Sequence, residues 1–158
     1  MKMYIVLRLV LAFHLSGLVV MAGTTVIDFV TFRMVLQQGD RDKNETNGLL
    51  PLMTKYGAIV RGAGAVLVIT GIAMLTLAEG VWWQQVWFKV KMALVVMLIL
   101  NGALIGNKNG LTFRKMISDY PASFMERSLD VRTALNRFYI IQMILFFLII
   151  LISSIKFN

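Results

Sequence analysis

The sequence predicts an all-α fold: an integral membrane four-transmembrane-helix bundle with an amphipathic cytoplasmic helix before the fourth span. Three observations carry this. Of 158 residues, 58% are hydrophobic and only 15% charged, with a mean hydropathy of +0.76, too little polarity to clothe a soluble domain. Four apolar runs, about 9–32, 57–78, 87–107 and 138–155, reach the roughly 20 residues that cross about 30 Å of hydrocarbon. The runs are continuous rather than alternating, so they read as helices and not as barrel strands. The length suits one domain, residues 1–158.

The first run begins like a signal peptide, with Lys2, an apolar stretch and then Ala22 and Gly23. Its apolar character continues past Gly23, and Arg8 and His14 interrupt its core, so it reads as a span. QQGDRDKNETNGLLP follows as a solvated connector. The second run opens RGAGAVLVITG, whose Gly62, Gly64 and Gly71 allow helices to approach closely. AEGVWWQQVW is a short aromatic connection that places Trp82, Trp83 and Trp87 in an interfacial belt. The stretch 108–137 is the longest connection. Ser118 or Asp119 is a helix cap there, Pro121 sits in a permitted first turn, and Phe124, Leu129, Ala134 and Phe138 recur at helical spacing. This is the expected amphipathic helix leading into the fourth span.

The net charge of +8 does not point to nucleic acid, because the bases lie mostly in connections. Ten (Arg33, Arg41, Lys43, Lys55, Lys108, Arg114, Lys115, Arg127, Arg132 and Arg137) flank the first and third connections. Five (Lys2, Arg8, Lys89, Lys91 and Lys156) lie on the other side. The positive-inside rule then sets both of those connections in the cytoplasm and both termini outward. With no cysteine, disulfides and thiolate metal sites are excluded within the chain.

Ionisable groups inside a span are costly and mark function by default. The first span holds the only histidine, His14, and an acid, Asp28. At about 100° per residue they share a face, but roughly 21 Å of helix axis separates them. Antiparallel threading sorts the polar groups into two layers. Arg8, His14, Glu79, Trp87 and Lys91 form the outer one; Asp28, Arg33, Arg61 and Asn101 or Asn107 form the inner one. Asp28 and Arg61 are expected to form a structural ion pair between the first two spans. Arg8, Arg33, Lys55, Lys89 and Lys108 read as snorkelling to headgroups. His14 lies too deep to snorkel. It is either bonded to another span or it binds a ligand or handles protons.

An imidazole in a membrane can ligate haem iron, bind a transition metal or relay protons. With one histidine per chain, bis-histidine ligation requires two protomers sharing one haem. Met21 lies on the same helix face as His14 and cannot complete the site, which leaves Met74, Met92 or Met97 as a sixth ligand, or none. Arg8, Lys89 and Lys91 are on the side needed to neutralise propionates.

LRLVLAFHLSGLVV, VRGAGAVLVITGIAML and WFKVKMALVVMLIL, in residues 4–105, resemble the HemJ-type protoporphyrinogen oxidases and, more distantly, CopD-like copper-resistance proteins. Both are small bacterial four-helix membrane proteins. The resemblance implies haem b with His14 as iron ligand, and Trp87 with Lys91 as the matching tryptophan–lysine pair. Arg61 matches a basic position early in the second span. The implied catalytic set is His14, Lys91, Trp87 and Arg61; His14 and Lys91 are also the expected cofactor-binding residues, joined by Arg8 from its place on the outer side. MAGTTVIDFVTFR departs from the family pattern, having no second histidine. The expected partners are the lipid bilayer and a porphyrin or other small molecule; a homo-oligomer stays open. The rival readings are a non-enzymatic membrane protein that binds a ligand, handles metal or aids assembly, and a proton-coupled transporter.

Overall fold

The computed structural model describes residues 2–38, 43–77, 84–119 and 128–155. Helix α1 spans Lys2–Gln38 and α2 spans Lys43–Leu77. Helix α3, Val86–Leu100, continues through a π-helical segment, Asn101–Asn107, into α4, Lys108–Asp119; α5 spans Leu129–Ile155. The residues at both joints keep right-handed helical angles, so Val86 to Asp119 is one rod. Among the described residues there is no strand. Four helical stretches are long and apolar enough to span a membrane: Met3–Gln37, Pro51–Leu77, Val86–Ile117 and Leu129–Ile155. The chain is a multi-pass, all-α membrane protein.

Contacts between helices fix their directions. His14 meets Thr70 and Met21 meets Gly64, so α1 and α2 run antiparallel and pack along much of their length. Asn101 meets Gln142, and Leu98 packs in one cluster with Leu145, Phe146 and Ile149, so the third rod and α5 are antiparallel too. The two hairpins join chiefly through α1 and α5, where Tyr139 reaches Asp28.

Two apolar clusters form the core. One gathers Met21, Ala63, Leu98, Leu145, Phe146 and Ile149 at mid-bundle. The other, nearer the first and third connections, gathers Phe32, Val35, Met53, Phe113, Ile117, Leu135 and Tyr139. Small residues let the hairpins close. A Cβ at Gly17 would lie 3.4 Å from the Ala63 carbonyl oxygen, which is a close backbone approach. The buried Thr25 and Thr31 hydroxyls donate to the Met21 and Ile27 carbonyls of their own helix, at 2.8 and 2.9 Å, and need no partner elsewhere. Outside, Val19 is 71% exposed and Phe147 65%; surfaces of this kind are stable against lipid.

Several expected boundaries change. The stretch 108–119 is not a connection but the end of the third rod. Its polar residues conceal an apolar edge, Phe113 and Ile117, four residues apart and both buried in the second cluster. Ser118 and Asp119 therefore end a helix rather than cap the start of one. Residues 43–51 of the first connection are helical, with Pro51 inside α2. The amphipathic stretch 129–137 joins the fourth span in one helix, α5. Glu79, Trp82, Trp83, Pro121 and Phe124 lie outside the described residues.

Candidate functional site

His14 is half-buried where α1 faces α2. Its Nδ1 lies 2.8 Å from Thr70 Oγ1. The Thr70 hydroxyl has a single proton, directed back to the Val66 carbonyl oxygen at 2.6 Å, with the Leu67 oxygen at 3.2 Å. Thr70 therefore accepts from the ring, Nδ1 carries the imidazole proton, and Nε2 keeps its lone pair. This assignment follows from the hydrogen-bond network. The Leu67 backbone also hydrogen-bonds the imidazole, a further anchor on α2. A Cβ built on Gly71 would sit 3.6 Å from His14 Cε1, in ordinary contact, so Gly71 borders the ring at the carbon between its two nitrogens.

Lys91, half-buried on α3, is the cation that acts electrostatically on the imidazole. One turn earlier, Trp87 is buried; its Nε1 donates to Gln85 Oε1, and its ring meets Phe88 edge-on, with centroids 5.9 Å apart. α3 thus carries Lys91 one turn after the Trp87 indole that is fixed at its start. The remaining predicted members do not join them. Arg8 is exposed and engages Tyr4 one turn away, by a hydrogen bond and with its guanidinium 4.2 Å from the ring centroid. Arg61 is exposed on α2. Met21 packs against Gly64, while Met92 and Met97 are exposed on the outer surface of the bundle.

The expected Asp28–Arg61 ion pair does not form. Asp28 Oδ2 instead accepts a 2.8 Å hydrogen bond from the Tyr139 hydroxyl of α5, and its buried Oδ1 has no hydrogen-bond partner. Pairing His14 with Thr70 and Met21 with Gly64 sets Tyr56 and Gly57 level with Asp28. The Arg61 guanidinium reaches back to that level, its Nη1 3.6 Å from a Cβ built on Gly57, but Arg61 is exposed and Asp28 is met by α5 instead. Arg114 of α4 is the cation that acts on Asp28 and Tyr139; its Nε donates to the Gly110 carbonyl and its Nη1 to Thr54 Oγ1 of α2 at 3.2 Å. One polar junction thus draws on α1, α2, α4 and α5. A second pair, Asn101 Nδ2 donating to Gln142 Oε1 at 2.8 Å, ties the start of the π segment to α5.

Thr70, Tyr139 and Gln142 were not among the residues singled out from the sequence, and Arg114 was counted only among the bases that set orientation. Thr70 carried a usable signal, being a hydroxyl beside Gly71 at the depth that antiparallel threading gives His14. Tyr139 carried none, since its partner is 111 residues away.

Among the described residues no group of three or more histidines, cysteines or acids is placed to hold a metal ion, so the donor set is one imidazole. That set suits a ligand bringing its own equatorial donors, such as a metalloporphyrin, and does not suit a bare ion. The chain matches no protein-family model, no curated protein and no solved structure.

Proposed function

We propose that this protein is a membrane haem b-binding redox protein whose iron ligand is His14 Nε2. The observation that supports this reading is the Nδ1–Thr70 hydrogen bond. It leaves the second ring nitrogen as a fixed, unprotonated donor, the arrangement that orients metal-bound histidines generally. Thr70 holds the tautomer, Gly71 borders the ring without a side chain, and Lys91 supplies positive charge for an acidic substituent. Trp87 bounds the same end of α3. When bound, haem supplies the one-electron chemistry, and the protein's part is to bind, orient and exclude water. The specific reaction that the resemblance implies is oxidation of protoporphyrinogen IX to protoporphyrin IX. In this reading the first and third connections face the cytoplasm of a bacterial inner membrane, and the termini face outward.

Purified protein titrated with hemin is expected to develop a Soret band that His14→Ala abolishes and Thr70→Val weakens. Growth of a strain lacking protoporphyrinogen oxidase tests the specific reaction: rescue by the native chain but not by His14→Ala supports it. Failure of both, with hemin still bound, rejects that substrate alone.

A second reading draws on the junction of Asp28, Tyr139, Arg114 and Thr54, which reads most simply as helix packing. In it the protein is a non-enzymatic binding, metal-handling or assembly protein, and the His14–Thr70 bond is one more tie between helices. It predicts a stable haem-free protein in which His14→Ala is mild and loss of Tyr139 is severe.

A further inference from the structure

Phe32, Met53, Phe113 and Leu135, one from each of the four spanning stretches, meet in a single buried cluster and so mark one level of the bundle. One or two residues from each stands a cation: Arg33 on α1, Lys55 on α2, Lys115 on α4 and Arg137 on α5. One or two residues advance a helix by at most about 3 Å, so these four side chains ring the bundle at nearly one height. All four are exposed. None is held by a carboxylate among the described residues, and Arg33 lies over the Phe29 ring, 5.4 Å from its centroid. Of the acids whose side chains are described, Asp28 is buried against Tyr139, and the exposed Asp130 remains to face four cations.

The surface between these cations is apolar. Met34, Leu52, Leu111 and Ile140 are all exposed close to them in sequence. Cations that no carboxylate among the described residues holds, framed by lipid-facing apolar side chains, suit an anion that arrives with its own hydrocarbon. We infer that this end of the bundle binds anionic phospholipid headgroups through Arg33, Lys55, Lys115 and Arg137. The attraction is the one that draws basic clusters beside membrane spans to acidic lipid. A zwitterionic headgroup presents the same phosphate but cancels it with its own ammonium, so the site discriminates by net headgroup charge. The ring surrounds the whole bundle, and its occupants are the lipids of one leaflet. It lies at the opposite end from His14 and does not depend on what His14 binds.

The test is native mass spectrometry of the full chain released from micelles containing equal phosphatidylglycerol and phosphatidylcholine. The native chain is expected to retain phosphatidylglycerol preferentially, and added salt to erode the preference. Each cation replaced by glutamine should lower it about fivefold. The fourfold variant Arg33→Gln/Lys55→Gln/Lys115→Gln/Arg137→Gln should bind the two lipids alike. Arg8→Gln/Lys89→Gln, at the other end, should keep the native preference. Equal retention of both lipids by the native chain overturns the proposal, as does unchanged preference in the fourfold variant. Should that variant fail to fold, the four single variants and the salt series decide by the same criteria.

Discussion

Thr70 decides the chemistry available to His14. Because its proton goes to the Val66 carbonyl, the hydroxyl can only accept from the ring, and one imidazole nitrogen is left as a donor atom. Thr70→Val removes that acceptor and leaves the ring the Leu67 backbone as its remaining described partner. It should destabilise the protein by about 0.6–2 kcal/mol, the range of hydrogen bonds between membrane helices, and Thr70→Ser should restore most of the loss. Reversible unfolding in mixed micelles measures both. The Tyr139–Asp28 bond is the harsher case, since Tyr139→Phe deprives the carboxylate of its one hydrogen bond. A loss of about 1–3 kcal/mol is expected, with the Tyr139→Phe/Asp28→Asn double variant less impaired than the two singles added together. Simple additivity would show that the two groups are not coupled.

At the scale of the element, the π segment Asn101–Asn107 distinguishes the third rod from the other spans. Its start is pinned by the Asn101–Gln142 pair, and its end by Gly106, where a Cβ would come within 2.6 Å of the Phe138 ring. Gly106→Ala therefore requires the ring or the helices to move, costing about 1–3 kcal/mol. Gly102→Ala, with nothing within 4 Å of the added carbon, should cost far less although it lies in the same segment. Phe138→Leu should relieve part of the Gly106→Ala penalty in the double variant, and unfolding measurements on the set would show it. Little of this was legible beforehand. Hydropathy marks spans well because lipid demands long apolar runs, and the described residues of each expected span lie within an observed helix or, for 87–107, within the third rod; Ala78 lies outside the described residues. Hydropathy is silent about an extra residue in a helical turn. It also misplaced the end of the third rod, because KNGLTFRKMISD averages to a polar stretch while turning Phe113 and Ile117 inward.

Across the whole molecule, two hairpins carry two polar centres at opposite ends. The layering of His14 and Asp28 was legible from helical geometry alone, because 1.5 Å per residue fixes depth without any knowledge of packing. Partners were not legible. Charge complementarity pointed to Arg61 for Asp28, whereas the antiparallel register and the docking of α5 deliver Tyr139 and, nearby, Arg114. For His14, the partner is the Thr70 hydroxyl on α2, which was not anticipated. The central claim concerns the donor nitrogen that this assembly leaves free. Its most direct test is the visible absorption spectrum of the purified native chain and of His14→Ala, each with added hemin. The account predicts a Soret band characteristic of bound haem in the native protein and its loss in His14→Ala. No band in the native protein, or an identical band in both, would contradict it.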